Sequence, residues 1–529
     1  NSFSPEVTMR KVQLALVVAF SLLLLCGLNA FAANTYYIDC AGGSDSNNGT
    51  SSGTPWLHHP YMVGWTGSYS HAAGDQFYFK GGVTCPYTYF PLTVGAGGSS
   101  SAGYDYYGPD PSQTWHIGAS WARPIWNLSG HTLSNGNQVF LVNGQDYVWA
   151  DNFDVQGMAS NDDNVTQHNT VFQVGYNGLH TKITNNYFHA WNVTSSTVDD
   201  IAFIYGNNSG DQSNVIIDSN YCNGADATPP STSAGAGSTE CIRYVAGGTI
   251  TNNVMLNESN GIVFGGTPTG TSLVFTGNDC SKIWLSYWSS NHENCFEWQG
   301  GGTNNIIASN KVHDSQYGEA FFTEVGSSTS TDWIFNNICW NTTVTCYEFD
   351  AEFGSNPGYT AYLINNTFFG GSGYCAQTSN RGVTIGTISV INNHCITTSG
   401  TDASSWCFSV GGQCDTVTNF TKTTNVAMTT SAATSQGYTS SEAFEYSPVL
   451  ASNSTVGAGT NETSLVAGYA TALAADTTYG CSVNAGNQVV CPARNTNARP
   501  GSGAWDAGAY QLAAGDSPAP PKNLQATVQ

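Results

Sequence analysis

Charge is scarce in this chain. Only 9% of its 529 residues are Asp, Glu, Lys or Arg, and just 13 are Lys or Arg. Against 36 Asp and Glu this leaves a formal net charge of −23. Such a surface repels nucleic acid and anionic lipid, and it disfavours polyanionic substrates unless a metal screens them. No Cys-x-x-Cys pair suggests zinc, and no P-loop, dinucleotide fingerprint, nucleophile elbow or Ser-His-Asp order is present. Long apolar runs are also missing, with one exception. "VQLALVVAFSLLLLCGL" follows Arg10 and Lys11 and precedes the small-residue "AFA" at 30–32. That pattern reads as a secretion signal over residues 1–32, and no other stretch could span a membrane.

Hydrophobic residues reach 40%, enough for a large core, and Gly reaches 59, with Asn, Ser and Thr common throughout. This profile suits short strands and tight turns, not long helices. Of 15 cysteines, Cys26 falls in the expected signal. The remaining even number, in an exported chain, favours disulfides. Neighbours in sequence are the natural partners: Cys40/Cys85, Cys222/Cys241, Cys280/Cys295, Cys339/Cys346, Cys375/Cys395, Cys407/Cys414 and Cys481/Cys491.

A short motif recurs: "WADNFDV", "ITNNYFH", "IDSNYCN", "ITNNVML", "FTGNDCS", "IASNKVH", "IFNNICW", "LINNTFF" and "VINNHCI". Aligned on their asparagines, these give Asn152, Asn186, Asn220, Asn253, Asn278, Asn310, Asn337, Asn366 and Asn393, with a weaker match at Asn425. A fixed motif at unequal spacing means a constant strand framework with loops of variable length. No single repeat can bury a core, so each must stack on its neighbours. Asn tolerates the left-handed backbone region and bonds its own kind in a stack. The pattern resembles the right-handed parallel β-helix, in which Asn ladders line one turn. "YYIDCAGGSDSNNGTSSGTPW" (36–56), "AGDQFYFKGG" (73–82) and "RPGSGAWDAGAYQ" (499–511) are similar to the opening segment, first coil and closing segment of secreted bacterial, pectate-lyase-like β-helix proteins. The resemblance implies an all-β solenoid of about ten coils over 33–512. Residues 513–529 read as a Pro-rich linker, or the start of a fibronectin-type module. Members of this superfamily include lyases, hydrolases, epimerases and binding proteins, so fold alone does not give function.

Carboxylates concentrate in "TCYEFDAEFGS" (345–355). Read as a strand, it puts Glu348, Asp350 and Glu352 on one face, and Tyr347, Phe349, Ala351 and Phe353 on the core face. Counting thirteen residues back from the ladder asparagines reaches Glu240, Glu297 and Glu324, and fourteen back from Asn366 reaches Glu352. The expectation is a row of Glu297, Glu324 and Glu352 on three consecutive coils, about 4.8 Å apart. Glu240 fits this phase less well. Like charges that close need a proton, a cation or a substrate.

Three readings compete. Paired carboxylates can hydrolyse a glycosidic bond in a neutral or weakly acidic polysaccharide, with Glu324 as acid and Asp350 or Glu297 as its partner. The resemblance to pectate-lyase-like proteins implies instead Ca²⁺ held by Glu297, Glu324, Asp350 and Glu352, with Arg381 as base and Lys311 or Lys282 as weaker candidates. Third, the row is a solvated acidic face or structural cation site on a non-catalytic glycan-binding or matrix protein. Trp284, Tyr287, Trp288 and Trp298 are candidates to stack on sugar rings. Asp199 and Asp200 are a weaker cation candidate, and His58, His59 and His313 read as ordinary loop histidines.

Overall fold

The computed structural model describes residues 33–512 outside a set of connecting stretches, the longest being 225–238, 467–480, 284–293 and 161–168. The expected secretion signal and the expected tail module lie outside the described residues. Short β-prone runs alternate with polar corners, and the chain winds accordingly. One coil runs through strands Asn304–Ala308, Lys311–His313 and Phe321–Glu324 before Thr331–Phe335 opens the next. Corresponding strands pair in parallel, giving three sheets of 13, 12 and 11 strands, here called first, second and third in chain order. Their strands make up eleven complete coils. The fold is the right-handed parallel β-helix expected from the repeat.

Alternation along each strand fills the interior. Phe296, Phe321 and Tyr347 stack coil upon coil at centroid separations of 5.2 and 5.8 Å. Each such ring removed from water contributes about 1.5–3 kcal/mol.

The corner between the first and second sheets is where the repeated asparagines act. In eight successive coils the ladder Asn donates its backbone N–H and its Nδ2–H to Oδ1 of the next, as Asn310 does to Asn337 at 3.0 Å. Asn310 Nδ2 also donates to the Phe275 carbonyl of the coil before. The ladder runs from Asn186 to Asn425, so the weak match at Asn425 belongs to it. Asn152 does not. The backbone N–H of Phe153 donates to Asn186 Oδ1 in its place, and Asn152 stands one position earlier. That earlier position, not the ladder position, carries the left-handed backbone: Asn152, Asn185, Ser219, Asn252, Ser309, Asn336, Asn365 and Asn392 all have φ between 54° and 61°. The motif therefore contains two asparagine roles side by side, and "DNF" retains only the first.

All seven disulfides form with the expected sequence neighbours. They suit an oxidising compartment outside the cytoplasm. Among the described residues, no helix is long and apolar enough to cross a membrane.

The coils end earlier than the expected boundary at 512. The last solenoid strand is Val426–Met428, and a short helix, Thr430–Gln436, follows. The chain then returns along the outside of the asparagine corner. Asn392 exchanges hydrogen bonds with Thr460, Asn365 Nδ2 donates to the Asp506 carbonyl, and Arg499 donates to Asn336 Oδ1. Farther back, Arg123 donates to the Gly486 carbonyl and to Asn152 Oδ1. Where Val466 and Trp505 lie on the first sheet, the row beneath is Ala308, Phe335 and Ile364. In earlier coils the same row is Asp151, Thr184, Asp218 and Thr251, where Thr184 donates to Asp151 and Thr251 to Asp218.

Candidate functional site

The acidic patch lies on the outer face of the third sheet. Strand Tyr347–Asp350 ends before Glu352, so of the three carboxylates expected on one strand face only Glu348 and Asp350 are strand residues. Residues 351–354 form a turn closed by Gly354 N–H to the Ala351 carbonyl at 2.9 Å. Phe353 is consequently 61% exposed instead of facing the core, and Glu352 is exposed beside it.

Pairing corrects the expected row. Glu324 stands opposite Asp350, but Glu297 stands opposite Phe322 and Glu348, two residues out of step with Glu324. The connection from the third sheet to the first explains the slip. Trp298 and Thr323 are partners, and so are Asn304 and Thr331; the second connection is therefore two residues longer than the first. Counting back from the asparagines crosses this variable loop. Glu297 and Glu324 are thus diagonal neighbours, about 7–8 Å apart at the backbone. Glu240 pairs with Asn260, outside the Glu297 row, and is bound to Arg243.

Charges here are buried and mostly of one sign. Glu324, Glu297 and Asp350 are 5%, 5% and 2% exposed. Arg381 approaches from the next coil and grips both oxygens of Asp350 through Nε and Nη2, with Glu352 at 3.7 Å. Its loop is fixed by Asp415, whose Oδ1 accepts the backbone N–H of Arg381, Gly382 and Val383 and whose Oδ2 accepts the Ser379 hydroxyl. The sequence offered no signal for Asp415 beyond its place after Cys414. The side chain of Gln377 donates to Glu348 at 2.6 Å.

Glu324 is different. No hydrogen bond or ion pair reaches its carboxyl among the described residues. Burial raises its pKa first, then Glu297, Glu352 and Asp350 raise it further, and Arg381 opposes them only in part, leaving it at about 8. At neutral pH this carboxyl holds its proton.

Other sequence candidates fall elsewhere. Trp298 points into the core at 3% exposure and cannot stack on a ligand. Lys311 is on the second sheet, 3.3 Å from Asp279, and Lys282 directly follows the Asp279–Ser281 strand there; neither is on the acidic face. His313 is buried on the same sheet, between Asp279 and Asp314, and is not a loop histidine. Trp284, Tyr287, Trp288, Asp199 and Asp200 lie outside the described residues.

The donor set fits Ca²⁺ poorly. Both Asp350 oxygens are engaged by the Arg381 guanidinium. No group of three His, Cys, Asp or Glu among the described residues is disposed to hold a metal.

The chain is a parallel β-helix. No protein-family profile and no curated protein matches its sequence. Similar architectures exist among solved structures. The pectate lyase Pel9A is 14% identical, with 91% of this chain and 96% of that one covered at a TM-score of 0.43. A rhamnogalacturonan lyase is 16% identical, covering 73% and 87% at 0.36. A GH136 lacto-N-biosidase from Eubacterium ramulus is 10% identical, covering 74% and 68% at 0.37.

Proposed function

We propose that this chain is a secreted glycoside hydrolase acting on a neutral polysaccharide, with Glu324 as general acid and Glu297 as general base. The observation that carries the reading is the Glu324 carboxyl, buried, without a hydrogen-bond partner and raised to about 8. A carboxylic acid that keeps its proton at pH 7 can deliver it to the leaving glycosidic oxygen. The diagonal spacing to Glu297 suits the ~6.5–9.5 Å separation of inverting enzymes, which leaves room for the attacking water. Glu297 then takes the proton of that water as it attacks the anomeric carbon from the opposite face. The same carboxylates that hold the proton on Glu324 favour the positive charge that develops on the sugar ring. Once Glu324 has given up its proton it is again among like charges, so reprotonation from solvent is favoured when product leaves. The reading calls for no metal.

Elimination chemistry needs a base at the place of Arg381. Its bond to Asp350 raises the guanidinium pKa further above its ordinary value, which opposes proton abstraction.

The test is purified protein on a polysaccharide panel, with and without chelator, reading reducing ends and unsaturated-uronate absorbance together. The expected result is reducing ends alone, unaffected by chelator, with inverted anomeric configuration by NMR, and lost in Glu324→Gln. Unsaturated products, or full activity in Glu324→Gln, overturn the assignment.

A further inference from the structure

We infer that Asp415 is a positioning residue for the catalytic acid: it holds Arg381 on Asp350 and thereby fixes the electrostatic setting of Glu324. The inference rests on the hydrolase reading and adds a control to the same site. Asp415, Arg381, Asp350 and Glu324 come from four successive coils, whose third-sheet strands are Trp406–Cys407, Ala376–Thr378, Tyr347–Asp350 and Phe321–Glu324. Each side chain acts on the one before it along the solenoid.

A guanidinium at the surface does not stay on one carboxylate unaided. The Arg381 side chain is 41% exposed, and the equally exposed Glu352 offers it a second partner at 3.7 Å. Such pairs are weak because a long side chain must give up its freedom to form them. Here the backbone is held instead. Gly382, at φ 75°, lets the N–H groups of Arg381, Gly382 and Val383 converge on one point. Successive N–H groups turned this way make a hollow for an anion. Asp415 Oδ1 fills it, at 2.8, 2.7 and 3.1 Å. Oδ2 takes the Ser379 hydroxyl at 2.7 Å, and the Asp415 N–H donates to the Ser379 carbonyl at 2.6 Å. Asp415 is buried and fixed from both sides. Cys414 before it is joined to Cys407, which pairs with Gln377 on the neighbouring strand, and strand Thr416–Thr423 begins directly after it.

The charges acting on Glu324 are Glu297, Glu352, Asp350 and Arg381, and Arg381 is the cation of that set. A loop released from Asp415 takes this cation off Asp350. Glu324 then faces its like charges without opposition and binds its proton more tightly.

The test reads the Glu324 carboxyl directly, by ¹³C NMR titration of the full protein labelled at its glutamate carboxyls and assigned with Glu324→Gln, beside the pH–rate profile. Asp415→Ala should raise the Glu324 midpoint and the alkaline limb by about half to one unit, as Arg381→Gln should, and the double variant should go no further. Asp415→Asn keeps an acceptor for the three N–H groups and should stay within about 0.3 unit of wild type. Cys407→Ser/Cys414→Ser loosens the same support by a separate route and should move the midpoint in the same direction, which keeps the test decisive if Asp415→Ala does not fold. An unmoved midpoint, or additive shifts in the double variant, overturns the inference. If Glu324→Gln still cleaves while the midpoint moves as expected, the hydrolase reading fails and the positioning role stands.

Discussion

Asp279, Lys311 and His313 lie on the outer face of the second sheet, while Glu297, Glu324 and Asp350 lie on that of the third. The first group is neutralised internally. Asp279 receives His313 Nε2 at 3.1 Å and Lys311 Nζ at 3.3 Å, and Asp314 receives His313 Nδ1 at 2.9 Å. Trp340 stacks on His313 at 4.4 Å. The Asp279 carboxyl is held below its ordinary pKa, Lys311 and His313 outweighing its burial, while its bond to Asp279 lifts His313 to about 9 against its own burial. Asp279, His313 and Asp314 each hold their charge more firmly than they would in water. The second group has one guanidinium for several carboxylates, and Glu324 is left with none. Equal burial therefore produces opposite chemistry: a locked ion network in one place, and a proton ready to leave in the other.

Exchanging the central residue of each group gives the largest contrast. Glu324→Gln should lower kcat by about 10²–10⁴-fold while keeping or raising Tm. His313→Asn should leave kcat within about twofold and lower Tm. Reducing-end assays and thermal melts on the same preparations check this, and a reversed pattern would exchange the roles of the two groups.

Stability against pH should separate them next. The Glu324 pKa rises from 4.5 to about 8 on folding. Its contribution is therefore fully present below pH 4.5 and is lost as pH rises through 8. His313 rises from 6.5 to about 9, so its contribution is present below pH 6.5 and lost as pH passes 9. Urea midpoints should show Glu324→Gln equal to wild type below pH 4.5 and more stable above pH 8. His313→Asn should be less stable at pH 6, with the difference gone above pH 9. Each effect is on the order of 3 kcal/mol.

The finest test adjusts the charge around Glu324. Asp350→Asn removes one like charge and should move the alkaline limb of the pH–rate profile down by about one unit. Arg381→Gln removes the opposing charge and should move it up, with a stability loss of about 1–3 kcal/mol from leaving Asp350 without its partner. Limbs that stay put would show that another group sets the profile.

Much of this was readable from residues alone. The ladder from Asn186 to Asn425 and all seven disulfides follow local rules, a polar motif recurring at each corner and cysteines pairing with their neighbours. Glu324 and Asp350 were legible because charge is so rare that clustering stands out. Register was not. The two-residue difference between the connections after Trp298 and Thr323 shows only when the strands pair. Phe353 lies outside instead of in the core because alternation holds only while the strand lasts, and this one stops at Asp350; Trp298 obeys the alternation of its strand and faces inward. The repeat stops at Asn425 in sequence as in structure, but the return of the chain along the asparagine corner carries no recurring motif and was not legible.

The returning segment changes how the molecule should yield to force. A solenoid whose coils touch only their neighbours peels from an end, one coil at a time. Here the segment that holds Asn392 also holds Asn365 and Asn336, and its hairpin reaches Arg123 near the other end. That cable ties the coils from Arg123 to Thr424, so tension on any of them is shared across the array. Extension should proceed by one large rupture followed by collapse of the array, not by a train of equal small steps.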